Sequence, residues 1–200
     1  MPITFNGNGT VTGLAVGGLP DGIVDADMLA SSSVTSAKLA SGVGGKVLQV
    51  KQATKTDTAS LSTQTFTEIT DLTQTITTVA GSKVYAVGSF YMGAASAYNA
   101  FLRLVRVDAD GSTNYPYIGD ASGSALRATA GGLCQYYNYG EINTSFMFLD
   151  TPSGAGTHTY KVEWRSGYSG QTVYLGRTNY AIYAESGIIP QSFTLMEVSG

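Results

Sequence analysis

The chain has 200 residues, with 11 basic and 14 acidic side chains and a formal net charge of −3 at pH 7. Charged residues make up 12% of it, about half the share in an average globular protein. A chain this poor in charge and slightly acidic lacks the positive surface that binds a phosphate backbone, which disfavours nucleic-acid binding. Weak charge repulsion also favours permanent assembly over a soluble monomer. No apolar run is long enough to span a bilayer and no signal peptide is recognisable, so we expect a soluble product without membrane insertion.

The N-terminal part differs in composition from the rest of the chain. Residues 1–45 contain one aromatic side chain, Phe5, and nine glycines. Such a segment buries too little apolar surface to offset the entropy of ordering itself, so it is either disordered or completes its core with other chains. The glycines at 42–45 indicate a flexible joint. We therefore predict an N-terminal attachment and stalk segment, 1–45, and a separate domain, 46–200.

Two short stretches of this segment, 24–31 and 34–41, are similar to each other, with Val, Leu, Ala and Ser at matching places. Each is long enough for only about one or two helical turns, which are unstable alone in water. Two copies in a low-complexity segment are also compatible with chance. We favour a stalk in which the repeats pack against those of neighbouring chains. Its apolar contacts are predicted to be Val24, Met28, Leu29, Val34 and Leu39.

From residue 46 onward the apolar pattern has a period of two and is rich in β-branched and aromatic residues. Turn signals rich in Gly, Pro, Asp and Ser occur at 108–112, 152–156 and 166–170. The pattern predicts an all-β, jelly-roll-like sandwich without revealing its strand order. The predicted strands are 46–53, 73–79, 83–91, 100–107, 144–149, 157–165, 172–175, 180–184 and 192–198.

Catalytic constellations are scarce in this sequence. His158, the one histidine, lies in an alternating strand, and we interpret it as an ordinary strand-face residue rather than a catalytic base. Cys134 has no histidine nearby in sequence and is expected to pack as a small apolar residue. Neither a nucleophile-elbow motif nor a phosphate-binding loop occurs. We therefore predict no enzymatic activity, no catalytic residues, no cofactor and no metal.

The carboxylates matter because glycan-cleaving enzymes use them in pairs. Glu163 shares a strand face with Arg165, where an ion pair within the strand or across to a neighbour explains it best. Glu141 stands alone in the sequence. The two Asp-Ala-Asp stretches, at 25–27 and 108–110, lack the ligand run of a calcium loop, so helix capping and turn formation explain them better.

Tyrosines concentrate in two loop-like segments. Consecutive tyrosines fit a loop better than a strand core, because neighbouring strand residues point to opposite faces. Loops rich in Tyr, Asn, Ser and Gly supply rigid contact area with adaptable hydrogen bonding, and sugar rings stack on such aromatic faces. A subunit interface, where tyrosine is also enriched, explains them equally well. The candidate binding residues are Tyr115, Tyr117, Tyr136, Tyr137, Asn138 and Tyr139, with Asn114 as a further hydrogen-bond partner.

Several segments resemble virion proteins of tailed bacteriophages. One is Phe66-Thr-Glu-Ile-Thr-Asp-Leu-Thr-Gln-Thr-Ile-Thr-Thr-Val79. The resemblance implies a trimeric fibre with an N-terminal attachment segment, a stalk and a jelly-roll head related in shape to C1q and TNF heads. Further similar segments are 81–87, 148–152, 159–165 and 194–198 in the head, and 18–30 and 35–40 in the stalk.

This resemblance implies a structural virion protein, made in the host cytoplasm. The first expectation is a homotrimeric tail fibre that binds other virion proteins through its N-terminal segment and a host surface glycan through its head. Similar heads occur on capsids, so a capsid decoration or head-fibre protein is the alternative. A glycan-cleaving tailspike is a third and weaker one, because clustered carboxylates are missing.

Overall fold

A computed structural model describes residues 4–5, 7, 11–12, 27, 29–31, 33–35, 38, 46–134, 140–180 and 187–200. The chain divides into two compact units, Met1–Gly45 and Lys46–Gly200. Within the described residues, no helix combines the length and apolar character needed to cross a membrane. The strands are β1 (Thr4–Phe5), β2 (Val11–Thr12), β3 (Val47–Lys55), β4 (Ala59–Leu61), β5 (Thr67–Glu68), β6 (Gln74–Thr78), β7 (Lys83–Ala94), β8 (Asn99–Val107), β9 (Thr113–Asn114), β10 (Ala130–Leu133), β11 (Glu141–Asp150), β12 (Gly156–Ser166), β13 (Val173–Leu175) and β14 (Gln191–Val198).

The described part of the N-terminal unit contains a short hairpin and two tight turns. β1 and β2 pair antiparallel, with Phe5 opposite Val11. Backbone hydrogen bonds close one turn at 30–33 and another at 35–38, which lie in or beside the two similar stretches of the sequence. The hairpin was not predicted, because two-residue strands show no alternation.

Two of the predicted stalk contacts lie within the described residues. Leu29 and Val34 expose 44% and 48% of their surface. Apolar side chains left exposed in their own chain are what a stalk shared between chains requires, and that stalk stays a prediction. The other predicted stalk contacts lie outside the described residues, namely Val24, Met28 and Leu39.

The first sheet of the larger unit has the order β3–β14–β7–β13–β4, with every pair antiparallel. Its long central strand, β7, pairs along one side with β11 from Val84 to Gly93. Along the other side it pairs first with β14 and then with β13. No strand lies beyond β11 among the described residues, so this sheet ends in a ten-residue edge strand.

The second sheet has the order β10–β8–β12–β5, with β6 also paired to β12 and β9 to β8. β8 and β12 are its central antiparallel pair. Their register places Arg103 opposite Glu163 and Phe101 opposite Arg165. These four side chains therefore occupy neighbouring positions on one face of the sheet.

The core lies between the two sheets. On β12, every second residue from His158 to Ser166 is buried, while the residues between them are partly exposed, because successive strand residues point to opposite faces. The rings of Phe90 and Phe146 stack with centroids 5.8 Å apart. The predicted all-β, jelly-roll-like sandwich is confirmed. The largest fully buried side chains are Tyr160, Phe90, Phe193, Ile69, Leu72, Ile76, Met92, Leu102, Leu104, Leu175, Leu195 and His158.

Eight of the predicted strands correspond to observed ones, β3, β6, β7, β8, β11, β12, β13 and β14. The ninth, 180–184, lies outside the described residues except for Tyr180, which is in a turn. The turn predicted at 108–112 is confirmed, since Asp108 N–H donates to the Ser112 carbonyl and Gly111 adopts a φ of +84°. Strands β4, β5, β9 and β10 were missed, because segments of two to four residues carry no readable alternation.

Candidate functional site

Two of the candidate binding tyrosines lie within the described residues. Tyr115 and Tyr117 follow β9 and expose 42% and 40% of their surface. Asn114, the expected hydrogen-bond partner, donates its amide hydrogen to Asp108 Oδ2 over 2.7 Å, so this donor already holds the turn together. The remaining candidates lie outside the described residues, namely Tyr136, Tyr137, Asn138 and Tyr139.

Tyr115 packs on the outer face of the second sheet. The guanidinium carbon of Arg103 lies 4.4 Å from the centroid of the Tyr115 ring and 4.1 Å from that of Phe66, so the cation sits against both rings. Arg103 also donates from Nη2 and Nε to Glu163 Oε2, over 2.5 and 3.0 Å. Cation–π contacts and charge-assisted hydrogen bonds together fix the guanidinium. Tyr115 is therefore held in place while much of its surface stays exposed.

Tyr117 has a different support. Its ring stacks on Phe148 of β11, with centroids 4.5 Å apart and planes 8° from parallel. Thr129 Oγ1 donates to the Tyr117 carbonyl, which ties this loop to the residue before β10. Because β11 belongs to the first sheet, Tyr117 and Tyr115 are supported by different sheets. The structure does not bring the two rings together into one stacking surface.

Five charged side chains lie together on the outer face of the second sheet. Lys161 Nζ lies 3.4 Å from Glu68 Oε2 and 3.8 Å from Glu163 Oε1, beside the ion pair formed with Arg103. With Arg165, this makes three cations and two carboxylates, a local surplus of positive charge on a chain whose net charge is −3. We call this surface the outer cluster, which comprises Phe66, Glu68, Arg103, Tyr115, Lys161, Glu163 and Arg165.

Sequence reasoning identified part of the outer cluster. The expected ion pair of Glu163 is confirmed, and its partner is Arg103 on the neighbouring strand rather than Arg165. Phe66 and Arg103 were not predicted as members of a site. The alternation of charges along β12 was a readable signal, but its partners on β8 depend on the strand register. Tyr115 was the member found from composition.

The inner face of the same sheet holds a buried polar network. His158 Nδ1 lies 2.7 Å from Asp108 Oδ1, and Arg106 Nη2 donates to Asp108 Oδ2 over 3.0 Å. Arg106 Nη1 and the Tyr160 hydroxyl both donate to Asp150 Oδ2, over 2.5 and 2.7 Å. His158 does lie on a strand face, as predicted, but that face points into the core. Its partner Asp108, which we had assigned only to a turn, is buried with it.

The charges of this network support one another. Burial opposes the charge of Arg106, but hydrogen bonds to Asp108 and Asp150 outweigh it and raise the pKa of Arg106. Burial also opposes ionisation of Asp108, yet its bonds with Arg106 and His158 lower the pKa of that carboxyl. Burial, together with the nearby Asp150, raises the pKa of Tyr160, which stays a neutral donor. Arg106 and Asp108 therefore keep their opposite charges inside the core.

The same network does not have the composition of a nucleophilic triad. His158 Nε2 is buried and has no hydrogen-bond partner within the described residues. A triad needs a hydroxyl or thiol at that nitrogen. Cys134, the one thiol, is buried in the hydrophobic core as predicted, and burial raises its pKa to about 11, which leaves it protonated and unreactive. The arrangement is suited to stabilising the fold.

The acidic residues considered as catalytic pairs or metal ligands do not converge. Glu141 lies on the first sheet and Glu163 on the second, so they do not share a strand or a sheet. Burial raises the pKa of Glu141, whose Oε1 has no partner within the described residues. Asp108 is buried while Asp110 is exposed, so the 108–110 stretch does not present a paired ligand set. In the described part of the chain, no three His, Cys, Asp or Glu side chains are grouped to hold a metal.

Comparison with known proteins gives little resemblance. No family model matches the chain, and no curated protein matches it. Among solved structures, a chain in the structure of infectious bursal disease virus, Gx strain, resembles it with a TM-score of 0.32 and 14% sequence identity. The match covers 76% of this chain and 38% of that chain, so this chain spans about two fifths of the viral one. A likeness at this level shows neither a family nor a function.

Proposed function

We propose that the chain is a structural virion protein of a tailed bacteriophage, a homotrimeric tail fibre whose sandwich unit binds a receptor on the host surface. The outer cluster carries the proposal, because it holds an exposed ring, Tyr115, rigidly beside fixed polar groups. A rigid aromatic face flanked by such groups is suited to a sugar ring and its hydroxyls. The resemblance of residues 66–79 to a phage virion module supports the viral class.

The outer face of the first sheet supports the trimeric assembly, since its middle carries no charge. The strand register aligns Val50, Met196, Tyr85 and Leu149 across four strands. Charged outward residues of β7 and β11 occur only at the ends of this face, at Lys83 and Glu141.

The second row of that face is also uncharged. It contains Gln52, Thr194, Val87 and Met147, and the Gln52 amide donates to Thr194 Oγ1 over 2.9 Å. Met147 and Val50 expose 65% and 55% of their surface. A face without charges can be buried between identical subunits without the energetic cost of burying an unpaired ion. We call it the uncharged face, defined by these two rows.

Three copies on one fibre make a weak receptor site sufficient. An aromatic pair contributes about 0.5–1.5 kcal/mol, and a sugar ring stacked on one exposed tyrosine is expected to contribute on the same scale. Binding through several linked sites then multiplies this contribution through effective concentration. In the proposed fibre, the N-terminal segment attaches the trimer to the particle and the outer clusters contact the host.

Adsorption of particles to host cells tests the proposal. Tyr115→Ala removes the exposed ring and is expected to reduce adsorption while sedimentation equilibrium still shows a trimer. Tyr168→Ala is the matched control, because Tyr168 is 51% exposed and its ring packs on Tyr98 rather than on Arg103. If Tyr115→Ala splits the trimer, the ring belongs to a subunit interface and the receptor site is misplaced.

A capsid decoration or head-fibre protein is the second candidate, and the uncharged face also favours it. A broad face without charge is suited to docking on a protein shell as well as to self-association. Electron microscopy of particles labelled with antibody against the chain separates the two. Label on the tail supports the fibre, and label spread over the capsid supports the decoration.

A further inference from the structure

The cations of the outer cluster are unequally paired. Arg103 is bound to Glu163, and Lys161 lies within ion-pair distance of both Glu68 and Glu163. Arg165 has no carboxylate within 4.0 Å among the described residues, although it lies on the same sheet face. Its Nε donates to the neighbouring Ser166 carbonyl over 3.0 Å. Among the described residues, one guanidinium of the outer cluster is therefore left without a counter-charge.

The partial burial of Arg165 makes its positive charge energetically unfavourable. Its side chain is half-buried, and burial lowers the pKa of the guanidinium. Its guanidinium carbon lies 5.8 Å from the centroid of Phe66, at the outer limit of a cation–π contact. A partly desolvated cation without a hydrogen-bonded anion is stabilised by a ligand that supplies one. The planar guanidinium fork also matches the oxygen pair of a carboxylate or a phosphate.

The rings of the outer cluster extend this anion site into a path for an extended ligand. The Phe66 ring is within cation–π range of both guanidinium groups, those of Arg103 and Arg165, and Arg103 also contacts the ring of Tyr115. The contacts therefore connect the cation of Arg165, the Phe66 ring, the paired cation of Arg103 and the exposed ring of Tyr115 in succession. A chain of sugar rings needs this alternation of apolar faces and hydrogen-bonding groups, whereas a simple anion needs only the cation.

We propose that the outer cluster binds an anionic glycan, with the ligand's carboxylate or phosphate on Arg165 and a sugar ring stacked on Tyr115. This inference rests on the proposed receptor function and specifies its ligand class. The paired Arg103 acts as a spacer that fixes both rings. An acidic peptide shares the anion but has no sugar face for Tyr115, so the glycan fits the whole surface better.

The test uses the purified full chain and an array of bacterial surface polysaccharides. Each anionic polysaccharide is paired with its neutral counterpart, carboxyl-reduced or dephosphorylated, so that the carboxylate and phosphate sources are separated. An acidic peptide, poly-glutamate, is included as a further probe. We expect binding to one anionic class, with at least a tenfold loss on its neutral counterpart and weakening as salt is raised.

Substitutions at Arg165 test whether this side chain contacts the anionic group of the glycan. Arg165→Gln is expected to weaken binding about tenfold, the loss of one charge-assisted contact, while Arg165→Lys retains part of it. Arg177→Gln is the matched control, because Arg177 also stacks on a ring, 4.1 Å from the Tyr174 centroid, but on the first sheet. It is expected to bind as the unaltered chain does.

The outcomes separate this inference from the proposed function. Equal binding to anionic polysaccharides and their neutral counterparts overturns the anionic ligand and leaves a glycan-binding fibre standing. Binding to poly-glutamate alone also overturns the glycan. Equal losses of polysaccharide binding in Arg165→Gln and Arg177→Gln overturn the placement of the anion site at Arg165. Failure to bind any polysaccharide, with host adsorption unchanged by Tyr115→Ala, counts against the receptor function itself.

Discussion

The two outer faces of the sandwich are built from the same kind of strand but carry different chemistry. On the first sheet, the outward rows around Tyr85 and Val87 contain no charged side chain. On the second sheet, outward residues of β8, β12 and the β5 region form the outer cluster, with Arg103 between two rings. Because the inner faces of both sheets build the core, the fold leaves the outer faces free to differ. Their contrast separates a face suited to assembly from one suited to a ligand.

A second contrast lies within the second sheet, between the two faces of β8. Arg103 points outward, and its pair with Glu163 is partly exposed, at 24% and 13% of the side-chain surface. Arg106, three residues later, points inward, and its pair with Asp150 exposes only 9% and 5%. Water screens the outer pair, so it contributes little to stability, whereas the inner pair is isolated from water and contributes to the fold. Burial, rather than residue type, assigns these roles.

The largest expected effect concerns the buried ion pairs on the inner face of β8. Arg106→Met leaves Asp108 and Asp150 as buried carboxylates without their shared cation, because both bind that guanidinium. Removing one partner of a buried ion pair costs about 3–5 kcal/mol. Urea unfolding should therefore show a loss of that size, with the exposed Arg127→Met as control. A loss below about 1 kcal/mol would contradict a structural role for the network.

The second prediction breaks the uncharged face alone. Val87→Lys places a cation in the middle of that face, where a trimer would bury it without a partner. An uncompensated buried charge costs about 3 kcal/mol or more, so sedimentation equilibrium should show dissociation while the head stays folded. Thr159→Lys, on the outward side of β12, should leave the trimer intact. Trimers that survive Val87→Lys would place the interface elsewhere.

The third prediction concerns acid and the inner face of β8. The pKa of Asp108 is lowered in the fold, so its ionised form stabilises the chain above the ordinary Asp pKa of about 4. That contribution is lost as the pH falls from about 4 through the depressed value. The free energy of unfolding should drop over this range, and the drop should be smaller in Asp108→Asn. The exposed Asp120→Asn should behave as the unaltered chain does, and identical curves for all three would refute the assignment.

The smallest expected effect sharpens the contrast between Glu163, which has an ion-pair partner, and Glu141, which has none among the described residues. Burial raises the pKa of Glu141, so its ionised form costs stability at neutral pH. Glu141→Gln should therefore stabilise the fold at pH 7 by a few tenths to about 1 kcal/mol, and the gain should vanish at low pH, where Glu141 is protonated. Glu163→Gln should act in the opposite direction, since it breaks the pair with Arg103. A loss of stability in Glu141→Gln would show that its carboxylate has an attractive partner.

Local pattern was enough to predict the fold class and most long strands. The alternation on β7, β8 and β12 is a property of consecutive residues, and it survives without knowledge of any partner strand. The turn at 108–112 was readable for the same reason, because Gly111 and its Asp neighbours specify the backbone locally. The short strands β5 and β9 were not readable, since two residues become a strand only by pairing with β12 and β8.

The candidate site also has a part that the sequence predicts and a part that only the tertiary structure decides. Composition alone pointed to Tyr115, because an exposed tyrosine in a loop is a local feature. Only the register of β8 against β12 placed Arg103 opposite Glu163 and left Arg165 without a carboxylate within the described residues. Likewise, only the packing of the two sheets decided that Asp108 is buried. Charge pairing and burial depend on residues far apart in the chain, so the tertiary structure, and no local pattern, determined them.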